Sequence, residues 1–290
     1  MDFIKAIVLG IVEGITEFLP VSSTGHLILV NEFVQLEPAS FANAFNVMIQ
    51  LGAILAVVVL YFHRLNPFTF SRKHNPRLPR TFEDMNLQSK IFYAVKYRNL
   101  DTMRLWKLVI VGVLPAVVLG VLFDDLIDQY LFRPEVVAMT LLGWGIVILV
   151  IETVYKNKPA RLDSVHGLTW KTALAIGLFQ CLAMVPGTSR SAATIIGAMI
   201  LGASRTAAAE FSFFLAIPTM LGATLLKILK NGLGFTATQW GVVLVGAAVS
   251  FLVAMIVIRA FMGFIQKRDF RPFGVYRIAL ALLVLVFLVF

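Results

Sequence analysis

The sequence predicts an all-α polytopic membrane protein: six transmembrane helices plus two re-entrant helix-loop-helix hairpins, arranged as an inverted-topology repeat. Three observations carry this. The chain is 59% hydrophobic and only 14% charged, with a mean hydropathy of +0.87, outside the range of soluble domains. Six apolar runs are each long enough to cross a hydrocarbon core of about 30 Å, which takes roughly 20 helical residues. Two further regions are as apolar but are interrupted near their centres by polar residues.

The six expected spans lie near 44–62, 106–123, 136–155, 207–229, 239–262 and 273–290. The interrupted regions are 3–36, broken by LPVSSTGH, and 171–203, broken by VPGTSRSAAT. Each piece is too short to cross alone, and broken helices are tolerated at membrane depth only where protein or a water-filled cavity satisfies the freed backbone groups. No cleavable leader precedes the first apolar run, so the mature chain is expected to begin at Met1. Cys181 is the sole cysteine; it can form no intramolecular disulfide and is expected to be a small core residue.

Loop charges set the orientation. Residues 63–105 carry nine Lys and Arg against Glu83, Asp84 and Asp101, and 156–171 and 259–272 are also basic. These segments are expected on the cytoplasmic side. The segment 124–135, with Asp124, Asp125, Asp128 and Glu135 against Arg133, is expected to face outward. The net charge of +9 is thereby explained by the membrane, and no nucleic acid partner is expected. Within the long loop, SKIFYAVKYRNL has the spacing of a helix lying on the membrane surface, with a solvated loop as the alternative.

An internal repeat accounts for two hairpins. At an offset of 166, Pro20 matches Pro186, Ser23 matches Ser189 and Phe45 matches Phe211; at an offset of 134, Trp106 matches Trp240, Val109 matches Val243 and Gly112 matches Gly246. Residues 1–290 therefore form one membrane domain with halves of about 1–155 and 156–290 and an inserted loop at about 64–105. Each half holds one hairpin and three spans. Three is odd, so the halves insert with opposite orientation, and the discontinuous helices meet near the midplane.

The two interruptions carry complementary chemistry. Glu13 and Glu17 are four apart and share a helix face; two acids inside a membrane segment call for protons, a cation or a basic partner unless they sit in water at the hairpin mouth. As hard oxygen ligands they suit a divalent cation, Mg2+ foremost, with Ca2+ also accepted. Pro20 ends the first helix. Ser22, Ser23 and Thr24 follow at the start of the next, where hydroxyls cap free amides. His26, three residues after Ser23, returns to the same face and is expected to accept the serine proton. In the second interruption, Thr188, Ser189, Ser191 and Thr194 supply hydroxyls, Arg190 supplies a permanent charge, and the helix start supplies amides. Together these make an anion site. Arg205 and Glu210 are expected to pair with each other or to close the site. Acids, hydroxyls and imidazole on one side, with guanidinium and amides on the other, compose a phosphoryl-transfer centre acting on a phosphorylated lipid.

On EGITEFLPVSSTGH at 13–26, IQLGAILAVVV at 49–59, PGTSRSAAT at 186–194 and EFSFFLAIP at 210–218, the chain closely resembles the undecaprenyl pyrophosphate phosphatase family of bacteria, the bacitracin-resistance family. The insertion around 67–99 is longer than is usual in that family. The resemblance implies hydrolysis of undecaprenyl diphosphate to undecaprenyl phosphate and phosphate, which recycles the lipid carrier for peptidoglycan synthesis and confers bacitracin resistance. It also implies a multi-pass protein of the bacterial plasma membrane with a site reached from the periplasmic side. Carried over, Glu13 and Glu17 match the metal-binding acids, Ser23 and His26 the candidate nucleophile and base, and Arg190 the pyrophosphate-binding arginine. Ser22, Thr24, Thr188, Ser189, Ser191 and Thr194 are expected to bind substrate beside it. Direct attack by water and a phosphohistidine at His26 remain alternatives. The rival class is a transporter or flippase of an anionic prenyl-phosphate lipid, which inverted repeats also suit but which needs no nucleophile. Gly197 and Gly202 suggest close helix packing, within the chain or across a homodimer.

Overall fold

The computed structural model of the chain describes every residue except 74, 76, 132, 157, 232, 233 and 290, and the side chains of 124, 125, 128, 230 and 231 are likewise left out. The described residues form α-helices with no strand beyond one isolated bridge between Leu162 and Ala203. In chain order the helices are α1 (Asp2–Thr16), α2 (Ser23–Asn31), α3 (Ala39–Leu60), α4 (Phe62–Leu65), α5 (Leu87–Lys96), α6 (Leu100–Tyr130), α7 (Pro134–Val154), α8 (Trp170–Cys181), α9 (Arg190–Ile200), α10 (Arg205–Asn231), α11 (Ala237–Ile265) and α12 (Arg271–Val284). Six segments are long and apolar enough to cross a membrane: Ala39–Leu60, Leu100–Phe123, Pro134–Val154, Arg205–Leu229, Ala237–Ile265 and Arg271–Val289. The chain is a multi-pass membrane protein with the six spans read from its hydropathy.

Helix ends differ from expectation where caps lie outside the apolar run. Pro38 precedes α3, Asn99 accepts from the amides of Asp101 and Thr102 at the start of α6, and Thr236 forms a capping box with Gln239 at the start of α11. The Asn99 and Thr236 caps satisfy free first-turn amides and lengthen their helices beyond the lipid-compatible part, while Pro38 makes no side-chain cap bond. At its other end α6 continues to Tyr130 through what was expected to be an outer loop, since nothing between Val121 and Tyr130 breaks a helix. The side chains of Asp124, Asp125 and Asp128, on which the outward assignment leaned, lie outside the described residues. The amphipathic stretch in the long loop does form a helix, α5, capped by Asn86, with Leu87, Ile91, Phe92 and Val95 exposed along it.

Small residues set the packing, as expected where lipid tails remove the hydrophobic drive between helices. A Cβ on Gly10 would meet Gly246 O of α11 at 2.6 Å, and one on Gly177 of α8 would meet Gly112 O of α6 at 2.1 Å. α7 and α12 cross through Gly145 and Gly274 in the same way. Around these crossings Phe18, Phe45, Phe211, Phe213 and Phe214 are fully buried. Gly197 packs on the Phe179 ring of the same chain, and Gly202, at φ 95°, lies against Arg161. Both are consumed by contacts within the chain.

Arg205 and Glu210 do not pair with each other. Arg205 bonds Glu152 at 2.5 and 2.9 Å, and Glu210 bonds Arg64. Five residues along one helix place two side chains about 140° apart, so each turns to a different neighbour. Glu152 also accepts from Phe270 N at 2.9 Å, which ties α10 and the start of α12 to the end of α7.

Candidate active site

The first interruption begins one turn before Pro20. The proline has no amide to bond the Thr16 carbonyl and disfavours helical geometry at Leu19, so α1 ends at Thr16 and the chain turns through Glu17–Val21. Ser22 restarts the helix as N-cap of α2, its hydroxyl accepting from Gly25 N at 3.2 Å. The second interruption ends in the same way: Ser189 caps α9 by accepting from Ala192 N at 3.2 Å. The structural counterpart of Ser189 is thus Ser22, one residue off the Ser23 match, because an extra residue separates Pro186 from its cap.

Glu17 joins the two interruptions. Its Oε2 accepts from Ser23 Oγ at 2.6 Å and its Oε1 from Arg190 Nη2 at 3.1 Å, and the carboxylate side chain is 8% exposed. Ser23 and Arg190 are the first residues of α2 and α9, so both helix N-termini converge on this carboxylate. The first-turn amides of each helix, among them those of Ser23, Thr24, Arg190 and Ser191, have no intrahelical acceptor and favour a bound anion.

Arg190 is held on several sides. Nη1 donates to Ser212 O at 2.8 Å, the guanidinium carbon lies 5.8 Å over the Phe18 ring, and Nε is buried without a partner. Thr194 Oγ1 shares a 2.6 Å bond with Ser212 Oγ and bonds Arg190 O at 2.8 Å. Ser191 Oγ donates across to Leu19 O at 2.8 Å and lies 3.0 Å from Ser189 Oγ. Thr188 is buried in the loop beside them, and Thr24 is half-buried at the start of α2.

The expected bond between His26 and Ser23 is absent. His26 Nδ1 lies 2.7 Å from Ser22 O, and Nε2 lies 2.7 Å from the Tyr276 hydroxyl. A carbonyl only accepts, so Nδ1 carries the proton and Nε2 accepts from tyrosine. The serine spends its own proton on Glu17 instead. Tyr276 also stacks on the imidazole, with ring centroids 5.5 Å apart.

Glu13, one turn before Glu17, is fully buried, and neither of its carboxylate oxygens has a partner. No cluster of three or more His, Cys, Asp or Glu occurs among the described residues, so any cation here would rely on two carboxylates, hydroxyls, water and substrate oxygens.

Sequence reasoning missed Arg277. It is fully buried on α12 and donates to Pro20 O at 3.3 Å and to Gly187 O at 2.7 Å, one carbonyl from each interruption. The signal was present: Arg277 is the one charged residue between 273 and 290, and a charge inside a span is a site marker. Ser212 and Thr140, whose hydroxyls hold Arg190, Thr194 and Pro186 O, left no such signal, because hydroxyls are common in apolar helices.

The chain is similar to known proteins along nearly its whole length. The family model described as "Bacitracin resistance protein BacA" matches residues 6–283. Undecaprenyl-diphosphatase 1 of Clostridioides difficile (strain 630) is 49% identical over 99% of this chain and 96% of its own length. Undecaprenyl-diphosphatase of Fusobacterium nucleatum subsp. nucleatum is 50% identical over 97% of this chain and 99% of its own length. That of Enterococcus faecalis is 46% identical over 98% and 96% respectively. Matched over residues 6–283 by that model and over nearly its whole length by these relatives, the chain belongs to the BacA family of bacitracin resistance proteins.

Proposed function

We propose that this protein hydrolyses undecaprenyl diphosphate to undecaprenyl phosphate and inorganic phosphate in the bacterial plasma membrane, from the periplasmic side. The activity recycles the carrier lipid of peptidoglycan synthesis and confers bacitracin resistance. The observation that carries the chemistry is Glu17 bonded at once to Ser23 and Arg190. The names of the relatives favour this enzyme over a transporter of the same lipid.

Ser23 Oγ attacks the terminal phosphorus while its proton passes to Glu17 Oε2. The bridging phosphorus–oxygen bond breaks, and undecaprenyl phosphate leaves with the electron pair. Arg190 and the amides of α2 and α9 take the negative charge of the phosphate oxygens. Water then attacks the phosphoserine, the Glu17 proton returns to Ser23 Oγ, and phosphate departs. Glu17 therefore replaces His26 as the base, and His26 orients the loop through Ser22 O.

Glu13 and Glu17 would hold a divalent cation. The fit rests on two fully buried, unpartnered oxygens of Glu13, a costly state without neutralisation, and on a hard, all-oxygen donor set that suits Mg2+ and accepts Ca2+. When bound, such a cation supplies positive charge to the diphosphate.

We read α1–α2 and α8–α9 as re-entrant hairpins and the halves, about 1–155 and 156–290, as an inverted repeat. The matched crossings support this: Gly10 meets Gly246 where Gly177 meets Gly112, and Gly246 faces Ile49 where Gly112 faces Leu215.

The test is phosphate release from a long-chain prenyl diphosphate by purified protein in detergent, with and without chelator, beside Arg190→Ala. Release that needs metal and disappears in the variant is expected. No release from folded wild-type protein would overturn the proposal.

A further inference from the structure

Arg277 is the charge that the proposed chemistry does not use. Its side chain is fully buried and has no carboxylate partner among the described residues; Nε is buried and unbonded. A buried guanidinium is expensive without an opposite charge, and a leucine would fill the position without that cost. What the guanidinium does hold is two backbone carbonyls, Pro20 O at 3.3 Å and Gly187 O at 2.7 Å.

Those two bonds complete a pattern. Leu19 O accepts from Ser191 Oγ at 2.8 Å, Ser22 O accepts from His26 Nδ1 at 2.7 Å, and Pro186 O accepts from Thr140 Oγ1 at 2.6 Å. Five carbonyls of the two tips thus have donors from surrounding side chains, which keeps their negative ends occupied while the amides of Ser23, Thr24, Arg190 and Ser191 at the starts of α2 and α9 are left to an anion. The other three contacts each use one donor on one carbonyl. Arg277 alone reaches both loops from a single planar group, with donors in a fixed fork. The residue before it, Tyr276, bonds His26 from the same helix.

We propose that Arg277 is a positioning residue for the phosphatase reaction. By gripping Pro20 O and Gly187 O from one guanidinium it sets the gap between the two tips, and hence the separation of Ser23 from Arg190 around the diphosphate. It touches neither reacting atom. The inference rests on the phosphatase reading for its kinetic consequences but not for its geometry.

The experiment compares wild type, Arg277→Lys and Arg277→Met, each purified in detergent. Melting temperature, kcat and KM on a long-chain prenyl diphosphate are measured, together with the affinity for methylene diphosphonate by calorimetry. Misplacing a reacting group by about 1 Å can cost 100-fold. Arg277→Met is accordingly expected to lose about 100-fold in kcat, and Arg277→Lys, which keeps the charge but not the fork, about tenfold. Both should bind the diphosphonate several-fold more weakly than wild type, with Arg277→Lys melting within a few degrees of it. A lower melting temperature with kcat, KM and diphosphonate affinity unchanged per folded molecule would make Arg277 merely structural and overturn the proposal. Should Arg277→Met fail to fold, Arg277→Lys decides alone. If wild type binds the diphosphonate but releases no phosphate, the phosphatase reading fails; an unchanged affinity in Arg277→Lys then still overturns the positioning role, and a weakened one upholds it.

Discussion

Ser22 and Ser189 share one unusual backbone, with φ 74° and 73°, at the N-caps of α2 and α9. They are the two residues other than glycine with positive φ among the described ones. Such a backbone costs about 1–3 kcal/mol, while the cap contributes about 1 kcal/mol. Ser22→Ala and Ser189→Ala, which keep the strain and lose the cap, should each destabilise by about 1 kcal/mol. Ser22→Gly and Ser189→Gly, which relieve it, should match or exceed wild type. Unfolding in mixed detergent micelles separates the two outcomes.

Glu17→Gln and His26→Asn test which group takes the serine proton. The asparagine amide stands where Nδ1 stands and can still donate to Ser22 O, so His26→Asn should stay within about tenfold of wild-type kcat. Removing a general base costs about 10²–10⁴-fold, the loss expected of Glu17→Gln. The reverse order of losses would return the base role to His26.

Glu152 is 1% exposed and is neutralised by Arg205. Arg205→Ala strands that carboxylate and should cost about 3–5 kcal/mol, read as a fall in melting temperature. Arg205→Ala combined with Glu152→Gln should recover much of the loss, which a mere packing defect at Arg205 would not allow.

Gly177 and Gly143 make a matched pair. A Cβ at Gly177 meets the backbone of α6 at 2.1 Å, whereas one at Gly143 meets nothing within 4 Å. Gly177→Ala should lower stability by about 1–3 kcal/mol and Gly143→Ala should not, both read from thermal unfolding.

What could be read from the sequence was whatever depends on neighbours along the chain. Length and apolarity located the six spans, Pro20 and Pro186 marked the interruptions, and residue types alone brought Glu17, Ser23 and Arg190 to attention. Partners across the fold were harder to read. The spacing of Ser23 and His26 suggested a pair, but one helical turn says nothing of Tyr276, which arrives from 250 residues away. Arg205 and Glu210 looked like mates only because they are close in number. That Ser22, and not Ser23, holds the cap position equivalent to Ser189 was hidden because PVSS and PGTS align equally well by their prolines.

Tyr276 is 47% exposed, yet its hydroxyl bonds His26 beside the polar loops. The wall of the site is therefore also part of the protein's flank, next to Val275, which is 58% exposed. A substrate whose headgroup enters here keeps its tail among the surrounding lipids throughout. The concentration that governs turnover is then a mole fraction within the bilayer sheet: diluting the diphosphate with inert lipid should slow the reaction at constant bulk amount, whereas adding buffer should not.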